Sequence, residues 1–189
     1  MPVNNNKIDM IAILKARKNL NRGTWITTCG ISMNPLIPQG SKVYINPVAS
    51  GIRVGDVVVF GLEGNLLIHR VVRLYTENSS VYYQTKGDNV FYLDPVINES
   101  NIMGCVEKIH TTPSDGAIFA LHNGILARVI AGISLFEGKI HRLSCSEVLF
   151  IRPMLICMKY ILKSLILMCS YLMKMKSERH CTRGMTNGV

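Results

Sequence analysis

Between Thr24 and Ile109 the apolar positions fall in short β-prone runs, Trp25–Thr28, Lys42–Ile45, Asp56–Phe60, Leu66–Leu74, Val81–Thr85 and Ile102–Ile109, separated by Gly, Asn and Asp. Runs of this length and spacing, with no helical period between them, predict a mainly β body of antiparallel sheets folded on one another, with helical extensions at both ends. Glu63-Gly64-Asn65 reads as a hairpin turn between two strands, which places His69 within or at the end of the second. Lys86-Gly87-Asp88-Asn89 reads as another turn at a strand end, followed by Asp94-Pro95.

The flanks have a different period. Ile8, Ile11, Ala12 and Leu14 line one side of a short basic helix over 7–20, ended by Asn21-Arg22-Gly23 and suited either to packing on the core or to a membrane surface. Ala117 to Phe136 is apolar but holds His122, Asn123 and Arg128. An arginine near the centre of a span costs roughly 2.5–3.5 kcal/mol, so a buried or surface-seated helix is expected there rather than a spanning one. Within the apolar stretch from Val148 to Met175, Arg152, Lys159, Lys163 and Lys174 share one narrow helical stripe, with Leu155, Ile161, Leu162, Leu165 and Leu172 on the remaining faces. That pattern predicts a helix lying in a membrane surface with its lysines reaching toward headgroups, the alternative being a helix that packs on a partner. Pro153 falls in its first turn, where proline is tolerated.

With 189 residues the chain is expected to form one folded unit: a basic arm at 1–23, a core at 24–110 and an apolar, basic C-terminal region at 111–189. The net charge of +9 is unevenly spread, +4 over residues 1–23, −2 over 24–138 and +7 over 139–189. A mildly acidic centre argues against a nucleic-acid groove, and basic ends suit an anionic surface. The six cysteines include no Cys-x-x-Cys pair and have no histidine cluster beside them, so neither a metal site nor any cofactor is expected. They read as small apolar residues in a reducing compartment.

The candidate chemistry starts at Gly30-Ile31-Ser32-Met33-Asn34-Pro35, where a turn after a β-prone run presents a serine. A serine hydroxyl needs a base to become a nucleophile, and His69 suits that role because an imidazole's ordinary pKa of about 6.5 lets it take and return a proton near neutrality. An acid must then hold the imidazole tautomer, and either Asp94 or Asp88 can supply it.

Taken in order, Gly30-x-Ser32-Met33-x-Pro35, Gly55-Asp56-Val57-Val58-Val59-Phe60, Ile68-His69-Arg70-Val71-Val72, Thr85-Lys86-Gly87-Asp88-Asn89 and Asp94 resemble the type I signal peptidases. The closer resemblance is to the Ser-His-Asp branch of the endoplasmic reticulum, archaea and sporulating bacteria. The related bacterial branch has a lysine base where this chain has His69, and Lys86 belongs to the later turn.

The resemblance implies a serine endopeptidase that cleaves signal or leader peptides after small residues, from a peptide or preprotein bound in extended form at a strand edge. It implies Ser32 as nucleophile, His69 as general base, Asp94 as orienting acid, Asp88 as a second, structurally important acid, and the Ser32 N–H as part of an oxyanion hole. Ile31 departs from the small residue common before the nucleophile, and Gly30 lacks the side-chain donor of some members. Such peptidases usually carry an N-terminal membrane anchor, whereas the segment ahead of Ser32 is polar with one short helix. Membrane association is therefore expected through the C-terminal region, with a cytoplasmic location as the alternative. A soluble or self-processing peptidase of the kind fused to SOS repressors, or a catalytically degenerate peptide-binding member, are the other readings.

Overall fold

The computed structural model describes residues 5–47, 51–111, 118–120, 124–144, 153, 156–168 and 171. Helix α1 (Asn5–Asn19) leads into strands β1 (Thr24–Thr27), β2 (Lys42–Asn46), β3 (Val57–Leu62), β4 (Asn65–Glu77), β5 (Ser80–Lys86) and β6 (Ile97–Asn98). A single 3-10 turn at Glu99–Asn101 precedes β7 (Ile102–His110) and β8 (Ile118–Ala120), and helix α2 (Ile125–Ser144) follows. The body is mainly β and antiparallel, as the spacing of the runs predicts. Its strands join in one eight-stranded sheet of order β1-β2-β7-β3-β4-β5-β6, with β8 paired to β7. Irregularities between Tyr44 and Ile45, Val59 and Phe60, and Val71 and Arg73 bend it, because a bulge adds twist locally.

β3 is the centre of the packing. Val57 and Val59 face a cluster with Val43, Ile45, Val106 and Ile109, to which the helices add Leu14, Ile130, Leu162 and Ile166. Val58 and Phe60 face Val71, Tyr83, Ile97 and Ile102 on the other side. Burial on both faces explains why this run is continuously apolar rather than alternating. Each such side chain contributes roughly 1.5–3 kcal/mol of transfer free energy, so β3 is a firm support for β4, which carries His69. The β3–β4 hairpin closes through Glu63 and Gly64 with φ of 49° and 75°, and the β4–β5 hairpin through Asn78 and Ser79 with φ of 48° and 63°. Two-residue turns with positive φ at both positions match strand twist and lock the register.

The C-terminal elements depart from the hydropathy pattern. The apolar stretch read as a helix over 117–136 is divided: Ile118–Ala120 is a strand paired with Lys108, Ile109 and His110, and the helix runs from Ile125 to Ser144. Apolar content cannot separate a short buried strand from a buried helix, and Gly124 marks the break. The helical stretch 156–168 also sits the other way round from the expected membrane-surface helix. Lys159 is 8% exposed, Leu162 and Ile166 are fully buried, and Ile156, Tyr160, Ile161, Met168 and Tyr171 are exposed. Leu155, Leu172, Arg152 and Lys174 lie outside the described residues. Among the described residues no helix is long and apolar enough to cross a membrane.

Burial pushes Lys159 down from the ordinary 10.5 to about 8, against the attraction of Glu137. Below pH 8 the ammonium is held in both the folded and unfolded chain, at a cost to the fold. Between pH 8 and 10.5 the unfolded chain binds the extra proton, so stability rises through that window by up to roughly 3 kcal/mol. Denaturant midpoints measured from pH 7.5 to 10.5 should show this rise in the parent protein and lose it in Lys159→Met.

Candidate active site

Ser32 is carried by a loop whose base is pinned. Thr28 N donates to Ser41 O at 2.8 Å and Gly40 N to Thr28 O at 2.8 Å, while the Thr28 hydroxyl reaches Pro38 O and Ser41 O, both at 3.1 Å. Met33, Leu36 and Ile37 sink into the core, and Ile37 N donates to Met33 O at 3.0 Å, so the loop turns tightly with Ser32 left half-buried at its tip. The Asn34–Pro35 peptide is cis.

Strand alternation deals out the rest. In the β3–β4 and β4–β5 ladders His69 stands opposite Val58 and Val71 opposite Thr85, whereas Arg70 stands opposite Val57 and Lys86. Residues opposite one another share a face, so His69 and Thr85 lie on one side of the sheet and Arg70 and Lys86 on the other. His69 is 4% exposed, with the edge of Phe60 against its ring at 6.1 Å between centroids. Its Nδ1 lies 2.7 Å from Asp94 Oδ2, and its Nε2 lies 3.0 Å from Ser32 Oγ. The Thr85 hydroxyl donates to the same Asp94 oxygen at 2.7 Å, and Asp94 N donates to Thr85 O at 2.9 Å. A carboxylate on Nδ1 keeps the proton there and leaves Nε2 as the acceptor for the serine hydroxyl. The arrangement is able to remove a proton from Ser32 and to hold the resulting imidazolium against a fixed negative charge.

Asp88 is not part of this line. It is fully buried and accepts from Arg70 Nε at 2.9 Å and Nη2 at 2.6 Å, while Arg70 Nη1 donates to Gly55 O at 2.9 Å. Adjacent residues of β4 thus each have an acid, His69 on one face and Arg70 on the other. Gly55 has a φ of 103°, and a Cβ there would stand 3.0 Å from the Ala127 backbone, so this position serves both the turn and the approach of α2. Next to it, burial raises the Asp56 carboxyl above its ordinary value, opposed by the Arg53 N–H that donates to it at 2.8 Å.

The 86–89 turn locks the two halves together. Asn89 N donates to Ser32 O at 2.7 Å and Asn89 Nδ2 to Ile31 O at 3.1 Å. A Cβ on Gly87 would stand 2.8 Å from Ser32 O and 2.9 Å from His69 Nε2, so nothing larger than glycine fits between them. Lys86, the alternative lysine near the serine, points to the opposite face, where its ammonium donates to Glu137 Oε2 at 2.6 Å. The contacts of Thr85, Asn89 and Glu137 add to the candidates the sequence offers. Alternation from Lys86 would have placed Thr85 on the His69 face, but nothing local points to Glu137. Among the described residues no group of three or more His, Cys, Asp or Glu side chains gathers where a metal ion could bind.

Sequence similarity identifies the chain as a member of the signal peptidase and S24 superfamily of peptidases. The chain belongs to the Peptidase S24-like family, which matches residues 3–107. It is also similar to the signal peptidase complex catalytic subunit sec11 of Dictyostelium discoideum, being 36% identical over 61 residues that cover 31% of this chain and 34% of that protein. The match thus spans about a third of that relative's length.

Proposed function

We propose that this peptidase is a serine endopeptidase that cleaves signal or leader peptides after small residues, with Ser32 as nucleophile, His69 as general base and Asp94 as orienting acid. The observation that carries the reading is the unbroken line from Ser32 Oγ through the imidazole to Asp94, at 3.0 and 2.7 Å. In this mechanism Ser32 Oγ attacks the scissile carbonyl as His69 Nε2 takes its proton. The oxyanion is stabilised by donors that include the Ser32 backbone N–H, and His69 then protonates the departing amine. Water, activated by the same nitrogen, hydrolyses the acyl-enzyme. Asp88 supports the site structurally: taking one partner from a buried pair such as Arg70–Asp88 costs about 3–5 kcal/mol.

The test is incubation of the purified chain with a peptide library and mass-spectrometric mapping of the cuts. The expected result is cleavage after Ala, Gly or Ser. Cuts without any preference for small residues would remove the substrate assignment.

The same reading places the enzyme at an anionic bilayer surface through the helical stretch 156–168. Support comes from the exposed side chains of Ile156, Tyr160, Ile161 and Met168, on a segment whose surrounding residues 139–189 carry +7. The chain should float with vesicles containing anionic lipid, and Tyr160→Glu with Ile161→Glu should stay behind; equal flotation of both would exclude this face.

A further inference from the structure

We infer that Glu137 is a positioning residue for the peptidase site, acting through Lys86 on the loop from Gly87 to Asp94. The inference rests on the Ser32–His69–Asp94 reading and adds the element that holds that line in register.

The loop touches both ends of the catalytic line: Asn89 binds the Ser32 carbonyl, Gly87 lies against His69, and Asp94 accepts from the imidazole. One stretch of α2 grips the loop in three places. At its start, Lys86 and Glu137 are both fully buried and meet at 2.6 Å, and the same ammonium reaches Gly87 O at 3.4 Å. Near its end, a Cβ on Gly138 would stand 2.6 Å from Leu93 Cγ, so the helix comes as close to the loop as a missing side chain allows. In between, the Phe91 ring stacks on His141 with centroids 5.8 Å apart and planes 16° from parallel.

The ring and glycine contacts are packing contacts without a directional bond. The ion pair is directional, and it sits one residue from the glycine that separates Ser32 from His69. A buried ion pair is a poor choice for stability alone, because well-packed apolar residues of the same volume usually serve as well or better. Its distinguishing property is geometric: a charge-assisted hydrogen bond fixes where Lys86, and so Gly87, lies. The other oxygen of Glu137 has no hydrogen bond and faces Lys159 Nζ at 3.8 Å, with that ammonium 3.9 Å from the centre of the Phe91 ring. Lys159 thus brings the helical stretch 156–168 against both the carboxylate and the Phe91 ring of the loop.

The experiment compares Glu137→Gln and the double variant Lys86→Met/Glu137→Met with the parent protein, reading thermal midpoint, kcat and KM for one peptide well below the melting range. Glu137→Gln should lower kcat about 10–100-fold, the loss that a displacement of about 1 Å produces, with KM changed less than about twofold. The double variant should recover the thermal midpoint but not kcat, since it restores packing without direction. A double variant that recovers both, or a Glu137→Gln protein with the parent kcat, overturns the inference in favour of simple packing. Cleavage that survives Ser32→Ala overturns instead the reading on which it rests, and that outcome is seen without altering Glu137.

Discussion

Replacing Ser32 with alanine should lower kcat for peptide cleavage by about 10⁶-fold, and replacing His69 with alanine should lower it about as much. A loss of that size corresponds to roughly 8 kcal/mol of transition-state stabilisation. The two losses should not add, because the hydroxyl is a nucleophile in this site only while the imidazole at 3.0 Å accepts its proton. Neither substitution should unfold the protein: Ser32 is half-buried at a loop tip, and the loop is held by its base, by Met33, Leu36 and Ile37, and by backbone contacts to Asn89. Steady-state kinetics of the two single variants and the double variant, alongside circular dichroism, check this. Additive losses would mean that Ser32 and His69 act independently.

Asp94→Ala should lower kcat by about 10⁴-fold with the fold intact, while Asp88→Ala should act on stability first. The difference follows from what each carboxylate touches. Asp94 accepts from His69 Nδ1 and the Thr85 hydroxyl on one oxygen, so its loss frees the tautomer and removes the negative charge that stabilises the imidazolium. Asp88 accepts two bonds from Arg70, and its removal strands a guanidinium that is 2% exposed, at a cost of about 3–5 kcal/mol. Urea denaturation of both variants together with their kcat values separates the two acids. An undiminished kcat in Asp94→Ala would argue against its pairing with His69 during turnover.

What is legible in this chain is local, and what is not legible depends on residues distant in sequence. The six longer strands were legible because β-prone runs and turn residues are short-range signals, and each observed strand lies within a few residues of its run. β6, of two residues, and β8, of three, are too short to carry a period. Ser32, His69 and Asp94 were legible as types in order, yet the choice between Asp88 and Asp94 stayed open since both lie past the end of β5. Arg70 resolves it: the residue next to His69 points to the opposite face and takes Asp88 for itself. Of the basic stripe, Lys159 turns inward rather than toward a membrane surface. Its inward turn depends on Glu137, buried on another helix and 22 positions earlier than Lys159, which no helical projection of 148–175 contains.

The catalytic assignment is tested most directly by trapping the acyl-enzyme. The protein is acid-quenched during turnover of an alanyl peptide ester, whose acylation is faster than its deacylation, and peptide mapping by mass spectrometry locates the adduct. The assignment predicts an acyl group on Ser32 that is absent from Ser32→Ala and His69→Ala. Hydrolysis at an undiminished rate by Ser32→Ala, or an adduct on another residue, would contradict it.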